Sequence, residues 1–237
     1  MAKIHLPDGE DWMNDVYRPY SDCDKANQIF YGGSSSGKTF YLCQRLIKDM
    51  LQGGRNYLVL RKVQRDCKKS VWNEVIKILR GLEYPRGSLY SLVKVNKSDM
   101  SITFPNEYAV FFGGLDDRER IKGITPQKGV ITDIWMEEAT EFDEGDYRQL
   151  EKRLRGQSSV KKRITMSFNP IIKTHWIYTN FFDNWQDNKK NYEDDRLSIL
   201  KTTYRDNSFL TDDDIDRLES EDDPYYRDVY LDGNWEY

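Results

Sequence analysis

Gly32-Gly33-Ser34-Ser35-Ser36-Gly37-Lys38-Thr39 constrains this chain more than any other stretch. It fits G-x-x-x-x-G-K-[ST], the pattern of a P-loop. Small residues let the backbone curl until its N–H groups point at phosphate oxygens. Lys38 can then reach β- and γ-phosphates, and the Thr39 hydroxyl can ligate Mg²⁺. A following helix aims the positive end of its dipole at the anion. The flanks suit this reading. Gln28-Ile29-Phe30-Tyr31 reads as a short buried strand, and Phe40, Cys43, Ile47, Met50 and Leu51 recur at helical spacing.

The rest of the chain reads as alternating strands and helices. Residues 57–60 form a strand by their apolar run, with Arg61, Lys62 and Arg65 after it. Residues 65–82 read as a helix with Trp72, Val75, Ile76 and Leu79 on one face and Lys68 and Lys69 near its start. The C-terminal ends of strands line the crevice of an open α/β sheet, so this basic cluster can face nucleotide or DNA, or form a solvated surface. Residues 91–95, 101–104 and 108–112 look like strands joined by hairpin turns, an antiparallel insert on an otherwise parallel sheet. Residues 113–123 read as a glycine-flanked charged loop. Strands are expected at 130–136, 163–168 and 197–203. Helices are expected at 144–155, 174–182, 211–219 (with Asp212 and Asp213 at the N-cap) and 225–231.

Hydrolysis needs an acid to hold Mg²⁺ and a base to orient water. Glu137 and Glu138 end the apolar strand at 130–136. Strand-end placement beside the P-loop puts Glu137 near the Mg²⁺ water shell and Glu138 toward the γ-phosphate as general base. Asp133 lies too early in that strand for the metal. Ser167 and Asn169 close the next strand, where either can bond the γ-phosphate or the attacking water, or serve the turn before Pro170. Transition-state charge calls for a further cation, and Arg118, Arg120 and Lys122 in the charged loop suit a group offered to a neighbouring subunit, or simply a solvated loop.

Composition narrows the class. The 237 residues are 38% hydrophobic and 32% charged, enough for one large α/β domain with a charged surface. No apolar run reaches membrane-spanning length, and the stretch from Met1 to Pro7 lacks the apolar core of a signal peptide. Cys23, Cys43 and Cys67 have no metal-ligand spacing and read as free cytosolic thiols. His5 and His175 are too few for a histidine-centred metal site. A net charge of −4 argues against a dedicated nucleic-acid module but allows a local basic patch. Residues 1–24 read as a lead-in packing on the core, with Tyr17, Tyr20 and Gln28 as possible adenine contacts or simple packing groups. Residues 25–237 read as one domain.

Four passages together resemble the ATPase domain of the large terminase subunit of tailed bacteriophages, the DNA-packaging motor. They are the P-loop with Tyr31 before it, Ile134 to Phe142 around Glu137-Glu138, Ser167-Phe168-Asn169-Pro170 followed by His175-Trp176, and Thr203 to Leu210. The resemblance implies an α/β P-loop NTPase fold of the ASCE type, with a mostly parallel central sheet flanked by helices and an added antiparallel hairpin region. It implies ATP and Mg²⁺ as ligands, with Lys38 and Thr39 on phosphate and metal, Glu138 as catalytic glutamate and Ser167 and Asn169 in the motif coupling hydrolysis to movement. Lys122 precedes Gly123 where the family's trans-acting arginine finger falls, with Arg120 two positions earlier. Glu137 stands where aspartate is more usual. The implied partners are double-stranded DNA, a homo-oligomeric ring (a pentamer), the portal protein and the small terminase subunit. The implied place is the host cytoplasm at the procapsid portal, with no membrane. A nuclease domain, and nuclease activity, are not expected in these residues. Another P-loop enzyme, such as a helicase-like translocase or small-molecule kinase, and a non-catalytic nucleotide-gated assembly module are the alternatives.

Overall fold

A computed structural model describes residues 12–84 and 87–236. The readings made at Met1–Pro7 and His5 lie outside the described residues. Eleven strands are described: β1 (Asn27–Gly32), β2 (Tyr57–Arg61), β3 (Glu83–Tyr84), β4 (Gly87–Ser88), β5 (Lys94–Asn96), β6 (Ser101–Thr103), β7 (Ala109–Gly114), β8 (Asp133–Glu137), β9 (Arg163–Phe168), β10 (Asn191–Glu193) and β11 (Leu197–Thr202). Nine form one sheet in the order β10-β11-β1-β9-β8-β2-β7-β6-β5, and β3 and β4 pair separately. From β11 to β7 every pairing is parallel. Both ends turn antiparallel, through β10 on one side and β6 and β5 on the other.

The parallel strands are apolar on both faces because helices cover both. Along β1, Phe30 packs into one core with Tyr41, Leu46 and Trp135. Its neighbours Ile29 and Tyr31 enter the other with Ile134, Met166 and Phe168. This period-2 split continues along the sheet. The expected α/β architecture is therefore present, with a mostly parallel sheet and an antiparallel region at 94–114.

Several details depart from expectation. The P-loop helix (Lys38–Gln52) buries Tyr41, Leu42, Cys43, Leu46, Ile47 and Met50, while Phe40 is 37% exposed. The expected strand at 91–95 begins only at Lys94, because Leu89–Leu92 is a 3₁₀ turn. The third strand of the insert, β7, belongs to the parallel sheet beside β2. The charged loop at 113–123 is a 3₁₀ turn (Leu115–Asp117) followed by a short helix (Arg118–Gly123), its N-terminus capped by the Asp117 carboxylate on the Arg120 N–H. The helix Asp212–Glu219 is capped by Thr211, in a capping box with Asp214, rather than by Asp212 or Asp213. The helix over 64–81 contains a π turn at Lys68–Trp72.

Arg163, at the start of β9 and 2% exposed, ties three elements together. Its guanidinium reaches Asp133 on β8, Asp49 on the P-loop helix and the Tyr57 hydroxyl on β2. Asp133, at 3% side-chain exposure, also accepts from Arg55. It begins β8, which ends at Glu137. Removing one member of such a group leaves buried charge uncompensated. Arg163→Ala is expected to cost about 3–5 kcal/mol, read as a lower urea midpoint. A loss under about 1 kcal/mol would mean that the cluster opens to water.

Candidate active site

The P-loop leaves β1 at its C-terminal end. At Gly32, φ is 139° and an added Cβ would lie 1.8 Å from the Thr202 carbonyl oxygen. Gly33 is equally confined, with the Leu231 oxygen 2.2 Å from its would-be Cβ. These two glycines let β11 and the C-terminal residues press onto the loop. The loop is also braced from distant parts of the chain. The Ser34 N–H donates to the Tyr230 oxygen, Asn207 to the Ser35 oxygen (2.8 Å), and the Tyr17 hydroxyl to the Ser36 oxygen (2.9 Å). Asn14 links to Asn207 and Ser208.

Lys38 begins the helix at 8% exposure. Its ammonium donates to the carbonyls of Gly32 and Gly33, to Ser36 Oγ and to Asn169 Oδ1 (3.1 Å). Burial lowers its pKa to about 8, against the pull of Glu138 and Glu137. Thr39 Oγ1 donates to Glu137 Oε1 at 2.6 Å. Ser167 donates to the other Glu137 oxygen and accepts from Trp135 Nε1 (2.8 Å). Asn169 joins Lys38 to the loop, its amide donating to Ser34 Oγ at 3.1 Å. Thr39, Glu137 and Ser167 are thus one hydrogen-bonded set and Lys38, Asn169 and Ser34 another, both at three adjacent strand ends, as β1, β9 and β8 are neighbours. Neither Ser167 nor Asn169 points away to serve only its turn.

Glu137 is 3% exposed, and burial, then the charge of Glu138, push its pKa up to about 7. A deeply buried carboxylate beside a second acid and a threonine hydroxyl is a hard-oxygen set suited to Mg²⁺. The raised pKa has a stability consequence. Folding disfavours the charged form, so the cost is absent below about pH 4.5, grows from there to about pH 7 and is complete above that. Glu137→Gln is therefore expected to gain on wild type as pH rises from about 5 to about 8, by up to about 3 kcal/mol in urea unfolding. An unchanged difference between the two pH values would show that the carboxylate is not held in this way.

Glu138 follows in the left-handed region, with φ 52° and ψ 55°. A non-glycine residue held there costs on the order of 1 kcal/mol and persists where the surroundings enforce it. The turn separates its side chain from that of Glu137 at the end of β8. Burial raises its pKa, opposed by the charges of Arg61 and Lys38. Arg61, at the end of β2, was legible only as part of a basic cluster. It forks onto Glu141 (2.7 and 3.2 Å) beside the two glutamates. Lys62 pairs with Asp143 and Asp146. The cluster is thus divided: Arg61 and Lys62 turn to acids, while Arg65, Lys68 and Lys69 stay exposed.

The loop cations are not brought to this group. They follow β7, four positions from β1, roughly 19 Å at about 4.8 Å per strand. Arg118 is bound to buried Asp146 at 2.8 Å. Arg120 donates to the Asp99 oxygen (2.5 Å). Among the described residues Lys122 has one ion pair, an exposed one with Glu119, its own side chain 64% exposed. Two adenine candidates are also engaged elsewhere. Tyr17 is fully buried and stacked on Tyr41. Gln28 is buried, holding Arg45 and the carbonyls of Cys23 and Lys25. The contacts from Asn14 and Arg61 carried no motif that could have marked them in the sequence.

The family model described as phage terminase large subunit matches residues 24–233. The chain belongs to the phage terminase large subunit family. It is 27% identical over 221 residues to the PBSX phage terminase large subunit of Bacillus subtilis (strain 168), covering 86% of this chain and 48% of that protein. It is 26% identical over 226 residues to the terminase large subunit of Bacillus phage SPP1, covering 92% of this chain and 51% of that one. The chain thus spans about half the length of these curated relatives. The large terminase of a thermophilic bacteriophage, in complex with ATP-gamma-S, superposes with a TM-score of 0.69 at 20% identity, over 93% of this chain and 51% of that one. The N-terminal domain of the DNA packaging ATPase from bacteriophage phi29 gives 0.58 at 14% identity, over 84% of this chain and 99% of that one. The fold is thus shared at 14–20% sequence identity. No described helix is long and apolar enough to cross a membrane.

Proposed function

We propose that this chain is the ATP-hydrolysing motor of a viral DNA-packaging machine, moving double-stranded DNA into a procapsid. The observation that carries it is the meeting at the P-loop of two hydrogen-bonded sets, Thr39–Glu137–Ser167 and Lys38–Asn169–Ser34, with Glu138 next to Glu137. Membership of the family and the thermophilic-phage complex with ATP-gamma-S support the same reading.

In the proposed mechanism the N–H groups of Ser35 to Thr39 and the Lys38 ammonium cradle the β- and γ-phosphates, the Gly33 and Ser34 N–H groups being bonded to the Thr202 and Tyr230 oxygens. Thr39 and Glu137 would hold Mg²⁺, whose chemistry when bound is neutralisation of charge on the β- and γ-oxygens. Glu138 accepts a proton from water as its oxygen attacks the γ-phosphorus, and the β–γ bridging oxygen leaves with ADP. Its raised pKa is that of a better base than an exposed glutamate. Asn169 senses the change at the phosphate through Lys38 and Ser34. Ser167 passes movement of Glu137 to Trp135 and the core of the sheet.

Lys122 is proposed as the cation supplied to a neighbouring subunit's site, with Arg120 bracing its helix. Lys122 is the freer of the two, and both lie too far along the sheet to serve their own P-loop. Residues 25–237 act as one ATPase domain with the preceding segment bracing the loop. Subunits form a ring around duplex DNA, a pentamer in this reading, at the portal protein in the host cytoplasm, with DNA delivered by the small terminase subunit. Hydrolysis stimulated by duplex DNA, with no strand separation, tests this function. Unwinding of the duplex would indicate a helicase instead.

A further inference from the structure

The C-terminal rim of the sheet carries opposite charge at its two ends. Past β11, residues 212–223 contain eight acids and one basic residue. Asp212, Asp213, Asp216, Asp222 and Asp223 are exposed, and among the described residues none of the eight is in an ion pair. Past β2, Arg65, Lys68 and Lys69 are exposed and, among the described residues, in no ion pair. Lys97, on the β5–β6 turn, joins Arg65 and Lys68 around one open cavity of about 680 Å³. The π turn at Lys68–Trp72 rotates these lysines relative to the helix that follows. β11 and β6 stand six positions apart, roughly 29 Å.

Both ends also expose apolar side chains. Phe209, Tyr225 and Tyr226 flank the acidic stretch at 53%, 47% and 40% exposure, and Val63 sits beside Arg65 at 39%. Aromatic groups within a charged rim are the make-up of a protein interface. The acidic stretch would repel DNA. It also lies beside the P-loop, since Asn207 and Tyr230 bond the loop directly. The basic face lies beside the helix Arg118–Gly123, where Asp116 accepts from the Gln64 N–H.

From this arrangement we propose a head-to-tail contact between copies of this chain, in which the basic face of one meets the acidic stretch 212–223 of the next. The contact rests on the ring reading above. It deepens that reading, because it is the docking that carries one subunit's Lys122 toward its neighbour's P-loop. Different patches meet, so the contact is heterologous and propagates into a ring if its rotation closes. Complementary charge sets its register and its salt sensitivity.

The test uses two exposed charge reversals in the full chain, Lys68→Glu/Lys69→Glu/Lys97→Glu and Asp213→Lys/Asp216→Lys/Asp222→Lys. Unchanged circular dichroism and unfolding midpoints establish that each folds. Sedimentation velocity at low salt is expected to show self-association of wild type, weakened by salt. Each variant alone should associate at least about tenfold more weakly, since like charges now face each other. An equimolar mixture should recover association, because each variant's altered face then complements the other's. A mixture as weak as its parts, or no self-association of wild type, would overturn the contact. So would a basic-face variant that loses duplex DNA binding yet associates normally, which would make that face a DNA surface. Association is read without turnover, so absent ATP hydrolysis with recovery on mixing would sink the catalytic reading and leave the contact standing.

Discussion

Glu138→Gln should abolish hydrolysis while leaving nucleotide binding close to wild type. The substitution keeps the size of the side chain and removes the proton acceptor. General-base catalysis contributes about 10²–10⁴-fold, so the rate should fall by that factor. Binding should survive because the phosphate cradle is built from the loop N–H groups and from Lys38, which contacts Gly32, Gly33, Ser36 and Asn169 rather than Glu138. Glu137→Gln should behave differently. It removes a carboxylate that Thr39 and Ser167 both address, so weaker Mg²⁺-dependent nucleotide binding should accompany the loss of rate. A fluorescent nucleotide titration beside a phosphate-release assay separates the two. Hydrolysis at wild-type rate in Glu138→Gln would remove Glu138 from its proposed role.

Lys122→Ala should lower turnover of the associated protein by about 10³-fold or more, the range for a transition-state cation. Stability and nucleotide binding should hardly change, because the Glu119 pair it breaks is an exposed pair worth under about 1 kcal/mol. Arg120→Ala should instead loosen the helix against the β5–β6 turn, since its guanidinium donates to the Asp99 carbonyl. Its signature is a lower unfolding midpoint with a smaller loss of rate. The reverse pattern, with Arg120 carrying the rate and Lys122 silent, would exchange their proposed roles.

The parts of the fold closest to the sequence were those set by local pattern. The P-loop, its flanking strand and helix, and the strand ending at Glu137 follow from apolar runs and glycine spacing. The residues at 113–123 did not, because two glycines suggested a loop. Gly113 and Gly114 instead end β7, and a carboxylate cap at Asp117 starts a helix too short to reveal periodicity. The 3₁₀ turn at Leu89–Leu92 was hidden by an apolar run that reads equally as strand. Within the site, the glutamate pair and the asparagine turn carried a sequence signal. The Arg61 fork on Glu141 and the Asn14 brace on Asn207 carried none, since each depends on contacts between residues 80 and 193 positions apart. Phe40 had helical spacing yet faces outward, because spacing gives a stripe and only packing decides its edge.

The central claim is that the loop is half of an active site, completed by a neighbour. Mixing Glu138→Gln with Lys122→Ala tests it most directly. The first has a dead site and an intact Lys122; the second has an intact site and no cation to lend. Each alone should be nearly inactive in phosphate release. Mixed at concentrations where wild type associates, they should recover a substantial part of wild-type turnover, because Lys122→Ala sites can then be served by Glu138→Gln neighbours. A mixture no more active than the sum of its parts would contradict the account.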